Sequence, residues 1–351
     1  MIKKALTTIG IIATCISTSA QDVTPYVPGA TAEGIVYYLP KTQLEIKVTA
    51  THSIYTPGEL CQYAERYLKL RNVSAQPAQH WEIKDIQVNA IGIPDTAKVY
   101  SIKLKDKSAM ALVDLTENGI IKAINTNHPD TPATVPAEVK PKKKRINPRD
   151  FMTEEILLAG STNKMAELIA REIYNIRESK NSLNRGQADY MPQDGSALRI
   201  MLDNLNAQEK AMTEMFSGIT ETSDRTFTFY INPEKEMTNH VIFRFSKKLG
   251  ILNENDLAGE PFYLSLTNEQ ALPAATEEPQ AKKRQDGIIY NIPGKGLVTI
   301  SNINKVYYKG KLPITQFGET EILVNQLFSK KINTRVIFNP ETGGITKIDK
   351  D

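Results

Sequence analysis

Ser161-Thr162-Asn163-Lys164 has the S-x-x-K spacing of a serine nucleophile with a lysine base one helical turn on. A serine at a helix N-terminus gains from the helix dipole, and the lysine beside it is placed to take its proton. Ser182-Leu183-Asn184 imitates the second motif of penicillin-interacting serine enzymes. No K-T-G follows on a later strand, however, and Ser182 comes too soon after Lys164 to leave room for an intervening helical domain. Ser161 is also explained as a helix cap. There is no G-x-S-x-G elbow, and Cys61 with a distant histidine makes no better nucleophile. His52, His80, His128 and His240 lie far apart, none with a second ligand at metal spacing. Gly294-Lys295-Gly296 reads as a hairpin turn, since a phosphate loop needs a longer glycine-rich run opening a helix. The sequence therefore assigns no catalytic, cofactor or metal residue.

What remains is a shaped loop between two helical stretches, Asn184 to Gly195. It carries Arg185, Asp189, Tyr190 and Asp194 among two glycines and a proline. Aspartates in such turns usually bond their own backbone. The sharper reading is a recognition loop held on a rigid helix pair, so these four residues are the candidate interaction site.

The segment Phe151–Phe216 must position that loop. Ala166, Ile169, Ala170, Ile173 and Ile176 fall at helical spacing, with Met165 and Leu168 widening the stripe. Leu198, Met201, Leu202, Leu205, Met212, Met215 and Phe216 repeat the pattern. Ser161 or Thr162 can cap the first helix, Asp194 or Ser196 the second, and Gly218 can stop it. An antiparallel helical hairpin follows, stabilised by tertiary packing of its apolar faces.

β-type sequence flanks this hairpin. Gly34–Pro40, Leu44–Val48, Trp81–Ile83, Ile86–Ile91 and Val99–Leu104 read as separate strands. Thr56-Pro57-Gly58-Glu59 has the form of a capping box opening a short helix to Leu70, with Cys61 as a small core residue on it. Ala109–Leu115 and Ile120–Ile124 flank Asn118-Gly119, a hairpin signal. Phe227–Ile231 and Val241–Phe245 suggest another hairpin. Ile288–Ile292, Leu297–Ile300, Lys305–Tyr308, Arg335–Phe338 and Ile345–Ile348 follow as strands, while Glu319–Phe328 is ambiguous between helix and strand. The fold class expected is α+β, with two β-rich parts of antiparallel hairpins around a central antiparallel helical hairpin.

The expected division is a signal peptide at 1–20, a β-rich domain with one short helix at 21–125, a Pro/Lys-rich linker at 126–150, the helical hairpin at 151–217 and a second β-rich domain at 218–351. Gly34-Ile35-Val36-Tyr37-Tyr38-Leu39-Pro40 echoes Gly287-Ile288-Ile289-Tyr290-Asn291-Ile292-Pro293, and Thr116–Ile124 echoes Thr342–Ile348. A duplicated β module and convergent strand grammar both account for this.

Lys3 and Lys4, the apolar run Ala5–Ile16 and Thr18-Ser19-Ala20 describe a signal peptide cut after Ala20. A lipoprotein signal cut before Cys15 fits less well, because Thr14 stands where a small residue is usual. Removing the signal lowers the basic residues from 43 to 41 against 40 acidic ones, a net charge of +1. Nucleic acid is excluded as a partner on that balance. Cys61 is then the sole cysteine, so no internal disulfide forms. No other apolar run approaches the ~20 residues of a membrane span. With 351 residues and 40% hydrophobic content, the chain can bury an ordinary core without staples.

The signal, Gly34–Pro40, Thr56–Leu70 with its Tyr-Ala-Glu-Arg-Tyr-Leu centre, Gly160–Ala170, the Ala188–Leu198 turn and Phe338–Ile345 together resemble a family of exported Bacteroidetes proteins, domain-of-unknown-function family 4831. The resemblance implies a Gram-negative envelope, periplasmic or secreted setting, and no activity or catalytic residue. The expected role is a non-enzymatic binding or assembly module for an envelope protein or glycan. The competing expectation is an envelope or polysaccharide hydrolase whose site is built from dispersed residues. A deep cleft with perturbed carboxylates favours the enzyme; an exposed apolar patch or an unpaired sheet edge favours the binder.

Overall fold

The computed structural model describes residues 21–25, 34–104, 113–128, 146–192, 194–269, 287–324 and 334–350. The signal segment, the lysine runs 142–145 and 282–284, and most of the linker's prolines lie outside them. In chain order the first half contributes β1 (Gln21–Pro25), β2 (Ile35–Thr56), α1 (Ala64–Leu68), β3 (Ala78–Leu104), β4 (Val113–Leu115) and β5 (Ile121–Ile124). The middle contributes α2 (Glu154–Leu157), α3 (Thr162–Asn184) and α4 (Gly195–Ser217). Then come β6 (Ile219–Ile231), β7 (Met237–Ser246), β8 (Gly250–Leu252), β9 (Glu260–Asn268), β10 (Gly287–Ser301), β11 (Val306–Val324), β12 (Thr334–Phe338) and β13 (Ile345–Lys350). The balance is mostly β, in three antiparallel sheets with few helices, and α3 with α4 supplies the expected central helical hairpin.

The strands are longer than the sequence suggests, for a local reason. Segments read as separate short strands are continuous. β2 runs 22 residues and absorbs both Gly34–Pro40 and Leu44–Val48. Its buried side chains include Tyr37 and Leu39 before the break, and Thr42, Leu44, Ile46, Val48 and Ala50 after it. The alternation changes phase where the β2–β3 register shifts between Tyr38 and Pro40, and Pro40 faces Pro94. Neither proline has an N–H for the ladder, so the ribbon bends there and its core face switches. A phase change inside one strand looks like a boundary between two. β10 does the same. Gly294-Lys295-Gly296 lies inside this strand rather than in a hairpin turn, next to a register shift between Ile292 and Gly294. A side chain at Gly294 would meet the Phe317 carbonyl at 2.4 Å, so this crossing requires glycine.

The first sheet has the order β1-β3-β2-β6 and the second β11-β10-β9-β7-β8. Leu44, Ile46, Val48, Ile86 and Val88 of the first bury against Phe243, Phe262, Leu264, Val298 and Ile300 of the second. The expected hairpin of Phe227–Ile231 with Val241–Phe245 is not formed. β6 pairs with β2, while β7 pairs with β9 and β8. Phe229 of β6 instead stacks on Phe243 of β7 at 5.1 Å. The alternating aromatics meet face to face across two layers, not edge to edge in one.

The third sheet, β13-β12-β5-β4, joins a hairpin from each end of the chain. It covers the other faces of the bent ribbons, where Tyr37, Leu39 and Ile102 pack with Ile121, Ile288, Val336 and Phe338. The buried Tyr37 hydroxyl donates to Ile289 O (3.2 Å) and accepts from Ile289 N (3.1 Å), tying β2 to β10. Each echoed strand also bonds to the turn of an echoed hairpin, though the second bond falls one residue before the glycine that the echo aligns with Gly119. Tyr38 N donates to Gly119 O (2.9 Å), and Asn291 N to Gly343 O (3.2 Å). Both glycines are left-handed, with φ of 77° and 71°. Segments 21–125 and 218–351 thus each supply strands to the first and third sheets.

The helices have their own core. Ala166, Ile169 and Ile173 of α3 bury with Met212, Met215 and Phe216 of α4, and with Leu60, Ala64 and Leu68. The capping-box expectation at Thr56 is not met. β2 continues through Thr56, and the helical turns begin at Cys61. Gly58 comes so close to α4 that a Cβ would sit 2.1 Å from Met215 O, and Leu60 N donates to that same carbonyl at 2.8 Å. Docking to α4 therefore holds this corner in place of a local cap. Of the ambiguous segment Glu319–Phe328, the part to Val324 is strand in β11, and 325–328 lie outside the described residues.

Candidate interaction surfaces

Ser161 and Asp194 cap the two long helices. Ser161 Oγ accepts from Lys164 N at 3.2 Å, and Asp194 Oδ1 from Ala197 N at 2.7 Å. Gly218 ends α4 with φ 73°. Arg185 closes α3, its N–H donating to Asn181 O at 3.0 Å. Asp189 and Tyr190 lie in the wall of an open groove of about 850 Å³ between the helices, beside Ser182, Leu183, Met201 and Leu205. Of the four candidate residues, these two meet in the groove, while Arg185 and Asp194 serve the helix ends. Tyr190 is 75% exposed, which suits a contact residue better than a core one.

Only the lower part of the α4 stripe is buried. Ala211, Met212, Met215 and Phe216 reach the core, whereas Leu198, Met201, Leu202 and Leu205 are half-buried. The periodicity was the same along the helix, but the sequence does not say how far the supporting layer extends.

The S-x-x-K pair is a cap beside a surface ion pair. The Lys164 ammonium lies 3.3 Å from Glu167 Oε1, and Ser161 Oγ is engaged by the backbone. Cys61 is half-buried on the turn before α1. His52 stacks on Trp81 at 4.2 Å. Among the described residues, no three His, Cys, Asp or Glu side chains converge as metal ligands, and no helix is long and apolar enough to cross a membrane.

Among the described residues, the carboxylates with displaced titration all move downward. Hydrogen bonds from Lys47 hold Glu45 low, Ala197 N–H holds Asp194 low, and Lys84 with Thr51 holds Asp224 low. Burial pushes Asp114 and Glu209 up, but His128 N–H with Lys122, and Lys180 with Arg177, outweigh it. Each is held as an anion by a structural partner. A general acid needs the opposite displacement.

The feature that sequence reading missed is an edge. β6 pairs with β2 continuously over 219–231, and no described strand pairs on its other side. Its 13 residues contain no lysine, proline or register shift, and its charges, Glu221, Asp224 and Arg225, are of mixed sign. Other edges are blunted in the usual ways. β4 and β8 have three residues each, β1 ends in Pro25, β13 carries Lys347 and Lys350, and β11 carries Lys309, Lys311 and Pro313. The absence of lysine and proline from Ile219–Ile231 was visible in the sequence. The expected hairpin with β7 hid its meaning.

A sequence model described as a domain of unknown function (DUF4831) matches residues 33–346. The chain belongs to that family. No curated protein and no solved structure matches it. The DUF4831 region runs from just before β2 into β13, so it takes in both bent ribbons, the helical hairpin and the β6 edge.

Within this family member, Glu209 fastens the hairpin. It accepts from Arg177 Nε and Lys180 Nζ, both at 2.6 Å. Glu209→Gln is expected to cost about 1 kcal/mol, more than an isolated surface pair because one carboxylate serves two cations. Its folded titration lies below the unfolded one, so the contribution is complete above the ordinary carboxylate range and is lost as pH falls through the folded value. Urea unfolding of both proteins from neutral to acid pH checks this. The gap between them should close on acidification, and a gap independent of pH would contradict the assignment.

Proposed function

We propose that the protein is an exported component of the cell envelope that acts without catalysis, as a binding or assembly module for a protein or glycan partner. The observation that carries the reading is the long open edge of β6, free of lysine, proline and bulges, backed by carboxylates held as anions by structural partners. Backbone N–H and C=O groups along such an edge offer affinity to an extended segment, and neighbouring side chains supply selectivity. The Tyr190 groove is a second, smaller surface on the same molecule.

The test is a cross-linked pull-down of the tagged protein from its own envelope, with a high-salt wash. A stoichiometric partner is expected, and Thr220→Lys with Thr222→Lys should release it by charging the edge. Free protein in the soluble fraction, without any partner, would overturn the reading.

A further inference from the structure

We propose that the strand added to β6 is β6 of a second copy, antiparallel, about a two-fold axis at Ser223. This rests on the reading of β6 as a binding edge and names its occupant.

In an antiparallel pair, directly opposed residues point to the same face. A two-fold axis perpendicular to the sheet must therefore set one residue against itself, which leaves few registers. Centring on Arg225 or Glu221 opposes like charges. Centring on Ser223 sets Glu221 against the partner's Arg225, and Arg225 against the partner's Glu221. It also sets Thr220 against the partner's Thr226, Thr222 against the partner's Asp224, and Ile219 against the partner's Phe227. Opposite-charge, Thr–Thr and aromatic–β-branched cross-strand pairs are each favourable. Glu221 and Arg225 are exposed, and the Arg225 guanidinium lies 5.6 Å from the Trp81 ring. The product is one continuous sheet with four strands from each copy, burying both open edges at once.

The experiment is sedimentation velocity on the full mature chain from Gln21, its E221R and R225E variants, and an equimolar mixture of the two. The native chain should dimerise. Each variant alone opposes like charges twice and should dissociate about tenfold more readily. Mixed together, they restore both opposite-charge pairs and should form a heterodimer of native affinity. Should R225E unfold by leaving Trp81, E221R alone still opposes Arg to Arg and should weaken the dimer. A dimer indifferent to these charges would overturn the proposal by placing the contact elsewhere. A monomer that still captures an envelope partner, lost with the Thr220→Lys and Thr222→Lys changes, would overturn self-pairing and leave the edge as a binding site. A monomer without any partner would sink both.

Discussion

Phe243→Ala is expected to lower stability by about 3–5 kcal/mol, the usual loss for a buried phenylalanine whose neighbours relax only partly. The ring is fully buried. It stacks on Phe229 at 5.1 Å and on Phe262 at 4.6 Å, and Phe262 reaches Tyr307 at 5.0 Å. Phe229 stands in the first sheet and Phe262 in the second, so the ring joins the two layers. Phe243→Leu keeps most of the apolar area and should lose less. The sole tryptophan, Trp81, is buried in the first sheet and reports unfolding in urea by fluorescence. A loss for Phe243→Ala below about 1 kcal/mol would mean that the layers do not share this core.

Asn291→Ala is expected to cost about 2–4 kcal/mol, by a different mechanism. Asn291 is 2% exposed. Its Nδ2 donates to Pro40 O at 2.8 Å and to Thr342 O at 3.1 Å, linking the bend of β2 to the turn before β13. Alanine leaves both carbonyls without that donor, and each is shielded from water. Asn291→Asp adds a sign test. A carboxylate facing two carbonyl oxygens is repelled, so the loss should grow as pH rises through its titration and shrink in acid, where the protonated group can donate once. Urea midpoints at acid and neutral pH check both variants. An Asn291→Asp effect independent of pH would contradict this placement of the amide.

What the sequence disclosed follows from which forces are local. Helix stripes, the Ser161 and Asp194 caps, the Gly218 stop and the Asn118-Gly119 turn depend on neighbours within a few residues, and each was readable. The bends at Pro40 and Gly294 were also visible, but as breaks. Only the facing Pro94 and the crossing Phe317 carbonyl show that the chain continues as strand. The pairing of β6 with β2 rather than β7 joins segments some 175 residues apart, as Thr51 with Asp224 illustrates (|i−j| of 173). No local signal encodes it. Of the candidate site, Tyr190 and Asp189 were legible as an exposed loop on a helical frame, while the β6 edge became apparent only with its pairing.

The central claim is that β6 is where this protein meets its partner. The most direct measurement is amide hydrogen exchange across Ile219–Ile231 in dilute protein, in concentrated protein and in protein with its envelope extract. The account predicts that outward-facing β6 amides exchange rapidly when dilute and become protected on concentration, through self-pairing, or on adding extract, through another chain. Exchange at β6 that stays the same in all three, with protection arising elsewhere or nowhere, would contradict it.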